Sequence, residues 1–200
     1  KVDGLKQPVI EAVNKDATRF FPKRFKKQIL DWLKVMHDWP ISRQIVWGIR
    51  IPVWYEVEKD RDNLWVGWLD TNGNFNQGPI SEALTKATIE EIEKGLQWVR
   101  AATGEAQPKF VVAKEKPTSG LWLPETDTFD TWFSSGQWPL VTLKENEFPT
   151  RYPTDFMGTL EDILPFWISR MMMFGLYVRN QVPFKQVYLW SKVTDNKGQK

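Results

Sequence analysis

The spacing of hydrophobic and polar positions changes several times along this chain, and each change marks an element. After Pro22, apolar residues stand at Phe25, Ile29, Leu33 and Met36, a three-to-four spacing that predicts one helical face, and Pro40 closes the helix. Residues 41–57, ISRQIVWGIRIPVWYEV, begin as a turn or short loop and end in a β-rich run, because Gly48 and Pro52 prevent a continuous helix. LWVGWLDTNGNF (64–75) predicts a hairpin turning at 71–74. TIEEIEKGLQWVR (88–100) predicts an amphipathic helix with Ile89, Ile92, Leu96 and Val99 on one side, and KFVVAK (109–114) a strand. LEDILPFWISRMMMFGLYVRN (160–180) predicts a buried helix capped by Thr159, with Glu161 and Asp162 in its first turn and a kink at Pro165. FKQVYLWSKVT then predicts a strand, and residues 195–198 a tight turn. Helix followed by strand implies the second half of an α/β nucleotide-binding sheet.

Composition narrows the chemistry. The 200 residues contain no cysteine, which removes disulfides, thiolate metal sites and thiol nucleophiles, and a cytoplasmic setting is compatible with that. The one histidine, His37, lies on the predicted amphipathic helix, so a histidine-based triad has little to work with. No apolar run reaches the roughly 20 residues that cross a bilayer, because Arg170 interrupts the longest candidate; the expectation is a soluble chain. A net charge of +2 permits nucleic-acid contact without arguing for it. The cluster Lys23, Arg24, Lys26 and Lys27 reads either as a solvated helix face or as phosphate contacts. No glycine-rich phosphate loop occurs.

Twelve tryptophans are the unusual count, and two of them fall in DTFDTWFSSGQWP (127–139). That mixture neither alternates nor runs apolar, and it resembles a pocket wall: flat apolar surface with a few fixed polar groups. Asp127 and Asp130 read as an acid–base pair, as turn and cap residues, or with one carboxylate holding a ligand ammonium. Trp47 and Trp132 are the apolar counterpart of that third reading, or ordinary core tryptophans.

Three ordered segments carry a resemblance: DWPISRQIVWGIRIPVWY (38–55), DTFDTWFSSGQWP (127–139) and PFKQVYLWSKVTDNKGQK (183–200). Their order and spacing resemble class I aminoacyl-tRNA synthetases, the valyl branch most closely. The resemblance implies the second half of a Rossmann-like catalytic domain with an inserted α+β segment. Residues 1–57 return from an editing insertion, 58–120 form the inserted segment, and 121–200 run to the KMSKS loop, with Lys200 as its first lysine and a catalytic residue. It further implies ATP and Mg²⁺, valine and tRNA(Val), a cytoplasmic setting and a monomeric full-length enzyme, of which this piece alone is inactive. By position, Asp127 matches the carboxylate receiving the substrate ammonium, Trp47 and Trp132 the pocket indoles, and Asp162, Trp190 and Ser191 the ATP site. Leu160 stands where the family usually has glycine, and Trp190-Ser191 where it has His-Gly. Ser134, where isoleucyl enzymes typically carry aspartate, favours valine over the isoleucyl alternative. The second alternative is a paralogue that binds ligand or RNA without adenylation.

Overall fold

The computed structural model describes residues 1–59, 61–103 and 108–199. Packing divides them into two compact units, 1–41 with 130–200, and 42–129. The boundaries anticipated at 57/58 and 120/121 divide the chain by composition and resemblance; these units divide it by packing.

The first unit is built on a three-stranded parallel sheet in which Phe184–Trp190 lies between Arg19–Phe21 and Thr154–Leu160. Parallel neighbours need a long crossover, and here Ser169–Arg179 supplies it between the last two strands. Val187 and Leu189 turn inward, whereas Tyr188 and Trp190 turn outward, as the two-residue period requires. The inward set joins Val9 and Val13 of helix Asp3–Asn14, Phe25, Ile29 and Leu33 of helix Arg24–Val35, and Met171 and Met172 of the crossover helix in one core. The helix expected after Pro22 is therefore present with its apolar face buried. The strand expected at the end of the chain is present too, followed by a turn in which Asp195 Oδ1 accepts the Lys197 and Gln199 N–H groups.

Thr159 does not cap the crossover helix. It belongs to strand Thr154–Leu160, buried and in register with Leu189, a place that suits a β-branched residue. The helical stretch begins with a 3₁₀ turn at Glu161–Ile163, widens to a π-turn at Leu164–Ile168 and becomes α-helical only at Ser169. Pro165 sits in the wide turn, and its carbonyl accepts the Ser169 hydroxyl at 2.6 Å and the Arg170 guanidinium at 3.3 Å. The distortion expected at Pro165 thus takes the form of a wide turn whose freed carbonyl is capped by side chains.

The second unit is antiparallel. Val53–Glu56 lies between Phe110–Val112 and Trp122–Pro124, and Leu64–Leu69 between Phe75–Pro79 and Leu96–Ala101; Ser42–Arg43 pairs with Thr128–Phe129. The expected hairpin is present, and Asp70 Oδ1 closes its turn by accepting the N–H groups of Asn72 and Asn74, each at 2.9 Å. The helix expected over 88–100 is cut short. It starts with a capping box between Thr88 and Glu91 but stops at Gly95, and Leu96–Ala101 becomes a strand. Glycine is a poor helix former, and Trp98 and Val99 fit a pleated surface when a partner is available. That partner is Leu64–Leu69, which comes so close that a Cβ on Gly95 would stand 2.0 Å from the Leu69 carbonyl oxygen. Among the described residues, no helix is long and apolar enough to cross a membrane.

Candidate functional site

Both units carry candidate positions, and each is described within its own unit. In the second unit the chain leaves strand Trp122–Pro124 with the Glu125 N–H still bonded to the Val53 carbonyl at 2.8 Å. Glu125 then folds its carboxylate back on its own successors. Oε1 accepts the N–H groups of Thr126 and Asp127 at 2.7 and 2.9 Å, and Oε2 accepts the Tyr55 hydroxyl at 2.8 Å. The Thr126 hydroxyl accepts the Val99 N–H at 3.4 Å, and the Asp127 carbonyl accepts the Ile51 N–H at 3.2 Å. The segment 125–127 is thus tied to two stretches of the unit, Glu125 and Asp127 to residues 51–55 and Thr126 to Val99.

Asp127 is half-buried and lines a cavity of about 420 Å³ whose wall also includes Gln44, Val46, Arg50, Gln97 and Trp98. Burial raises its pKa above the ordinary aspartate value, the neighbouring Glu125 charge adds to the rise, and a hydrogen bond from Ser42 opposes it. A carboxylate destabilised in this way gains from a cationic partner. Burial and the Glu125 hydrogen bond likewise push the Tyr55 hydroxyl far above its usual range, so it stays a donor at neutral pH. Trp98 lies against Gly67, where a Cβ would fall 2.4 Å from the indole, and the Arg100 guanidinium stacks 3.9 Å from its ring. Trp47 stands 89 % exposed on the loop preceding strand Val53–Glu56, outside the cavity wall.

Trp132 and Asp130 belong to the first unit. Asp130 is buried and accepts the Trp39 indole N–H at 2.9 Å, a structural tie within that unit. Trp132, on the short helix Thr131–Ser135, stacks on Phe166 at 5.5 Å, and Phe166 meets Trp32 edge-on at 5.8 Å. Beside them Arg170 is buried, with its guanidinium 4.3 Å from the Trp39 ring centroid and bonded to the Phe166 carbonyl at 2.8 Å.

The ATP-site candidates do come together, at the carboxyl ends of adjacent parallel strands. Leu160 and Trp190 are in register there, and Glu161-Asp162 and Ser191-Lys192 follow side by side. Ser191 donates to Glu161 Oε1 at 2.9 Å, Arg24 donates to Glu161 Oε2 at 3.0 Å, and Lys192 pairs with Asp162. Trp190, half-exposed, covers Gly158, where a Cβ would meet its ring at 3.0 Å. Lys200 lies outside the described residues. Glu125, Tyr55, Arg170 and Trp39 carry no signal in the sequence because their roles depend on partners far away in the chain: 70 residues for Tyr55 and Glu125, 91 for Trp39 and Asp130.

A parallel sheet that shares one core with its crossover helix, and with Glu161, Asp162 and Ser191 at the carboxyl ends of its strands, has the layout of a Rossmann-like α/β unit. Comparison with known proteins narrows this further. The tRNA synthetases class I (I, L, M and V) match residues 1–200, and the chain belongs to that family. It is similar to the valine–tRNA ligases of Coxiella burnetii (35 % identical over 204 residues) and Francisella tularensis (33 % over 204 residues), each match covering all of this chain and 18 % of the relative. The chloroplastic/mitochondrial valine–tRNA ligase 2 of Arabidopsis thaliana is 34 % identical, again over the whole chain and 18 % of the relative. This chain therefore spans about a fifth of the length of the curated relatives it matches.

Proposed function

We propose that, in the full-length protein, this chain is part of the catalytic domain of a valine–tRNA ligase acting in the cytoplasm, which activates valine with ATP and Mg²⁺ and charges tRNA(Val). The observation carrying this reading is the end-to-end match to relatives that bear that name. In it, Asp127 receives the α-ammonium of valine; Trp47, exposed and outside the cavity wall, and Trp132, stacked on Phe166, keep their pocket roles from the family resemblance alone. The half-exposed Trp190 ring fits a nucleobase face, and the carboxylate of Asp162 and the hydroxyl of Ser191 fit ribose hydroxyls. Bound ATP would supply the α-phosphate for attack by the valine carboxylate, with pyrophosphate as the leaving group. The protein's contribution to such an in-line step is positioning and charge stabilisation, which need no histidine or cysteine. Lys200 opens the expected KMSKS loop.

Pyrophosphate exchange by the full-length protein with valine, isoleucine, leucine and threonine tests the reading. Valine should support the fastest exchange. Threonine should follow at a disadvantage of about 10²-fold, the ceiling for a hydrophobic pocket facing an isostere; that figure is the one already known for valyl enzymes and does not come from this fold. Trp190-Ser191 and Leu160 at the strand ends favour a second reading, a paralogue without adenylation, and absence of exchange with all four amino acids would decide for it.

Asp127 also sets a pH dependence. Its ionised form binds the ammonium, so KM for valine should rise as pH falls through the carboxylate's pKa. Because burial and Glu125 raise that pKa, the rise should begin at higher pH than for an ordinary aspartate. Measuring KM for valine from pH 7.5 down to about pH 4, the ordinary aspartate range, checks this; a profile flat over that whole span would remove Asp127 from the role.

A further inference from the structure

We infer that Glu125 is a positioning residue for amino-acid binding, a clamp that fixes the backbone of Asp127 and with it the direction of the Asp127 carboxylate. The inference rests on the reading of Asp127 as ammonium acceptor. Glu125 commits its acceptor capacity within its own unit: Oε1 takes the successive N–H groups of Thr126 and Asp127 at 2.7 and 2.9 Å, and Oε2 takes the Tyr55 hydroxyl at 2.8 Å. Two consecutive N–H groups converging on one oxygen hold two peptide planes at once, and Tyr55 holds the carboxylate from the other side. Tyr55 lies on strand Val53–Glu56, opposite Leu123 in register, so the clamp is anchored on a sheet rather than on a loop. An unclamped 126–127 segment would keep its other backbone ties but lose two charge-assisted bonds, and an ammonium acceptor displaced by even about 1 Å binds poorly.

The test compares Glu125→Ala, Glu125→Gln, Tyr55→Phe and Asp127→Asn in the full-length protein, reading KM for valine, KM for ATP and the active-site concentration. Glu125→Ala should raise KM for valine at least about tenfold with KM for ATP within about twofold, as expected for two lost charge-assisted bonds. Glu125→Gln keeps a carbonyl oxygen for both N–H groups and an amide to donate to Tyr55, and should bring KM for valine back to within about threefold of wild type. Tyr55→Phe should raise it about threefold, and it decides the matter if Glu125→Ala does not fold. An unchanged KM for valine in Glu125→Ala and Tyr55→Phe, or equal shifts in both KM values, would overturn the clamp. If Asp127→Asn also leaves KM for valine unchanged, the ammonium site itself falls; if Asp127→Asn is impaired and the Glu125 variants are not, only the clamp falls.

Discussion

Replacing Asp127 by asparagine in the full-length protein should lower kcat/KM for valine-dependent pyrophosphate exchange by about 100-fold, close to 3 kcal/mol, while leaving the melting temperature unchanged or higher. The loss follows from what asparagine cannot supply. An ammonium moved from water to a cavity wall needs a charge-assisted acceptor, and a neutral amide oxygen leaves its charge uncompensated. The stability half of the expectation comes from linkage. The folded protein holds Asp127 with a raised pKa, so folding favours the protonated form, and this residue makes stability fall as pH rises from the ordinary aspartate value through the raised one. At neutral pH the ionised carboxylate is therefore a small burden that asparagine removes. Reduced activity with preserved or improved melting is the signature of a group kept for binding rather than for folding. Equal loss of valine and ATP affinity in this variant would count against the assignment.

The same residues show what the sequence alone makes legible. Helix Arg24–Val35 is legible because its three buried residues fall at the four-residue spacing of one face, and strand Phe184–Trp190 because Val187 and Leu189 alternate with Tyr188 and Trp190. Residues 96–101 are not, because a period compatible with helix is overruled by pairing with Leu64–Leu69, a partner distant in the chain. Thr159 misleads for a related reason: a threonine ahead of two acidic residues suits a cap locally, but its strand continues to Leu160. At the candidate site, a polar and aromatic segment without periodicity singles out DTFDTWFSSGQWP, but only resemblance selects Asp127 over Asp130 within it. Glu125 carries no such signal, since a glutamate two residues from an aspartate looks like solvated charge until Tyr55 is seen to meet it. The strand-end grouping of Asp162, Trp190 and Ser191 is legible only through resemblance, because parallel register cannot be read from either strand alone.

Trp68→Ala should be among the most damaging substitutions in the second unit, costing about 3–5 kcal/mol and seen as early loss of that unit in thermal or urea unfolding. Trp68 is 1 % exposed and shares its core with Leu64, Val66, Ile80, Ile92 and Leu123. It lies on the central strand Leu64–Leu69, opposite Leu96 of the strand that brings Gln97 and Trp98 to the Asp127 cavity. A void at Trp68 therefore loosens one wall of the candidate binding cavity as well as the core, and KM for valine should rise in any Trp68→Ala protein that still folds. Trp68→Phe separates packing from hydrogen bonding. The Trp68 indole N–H is buried with no partner among the described residues, so phenylalanine gives up ring volume but also removes an unsatisfied donor that itself costs about 1–3 kcal/mol. Its net cost should be under about half that of alanine. A phenylalanine variant as unstable as the alanine one would mean that the indole N–H is bonded after all, and that the polar group, not the ring volume, ties this strand to its unit.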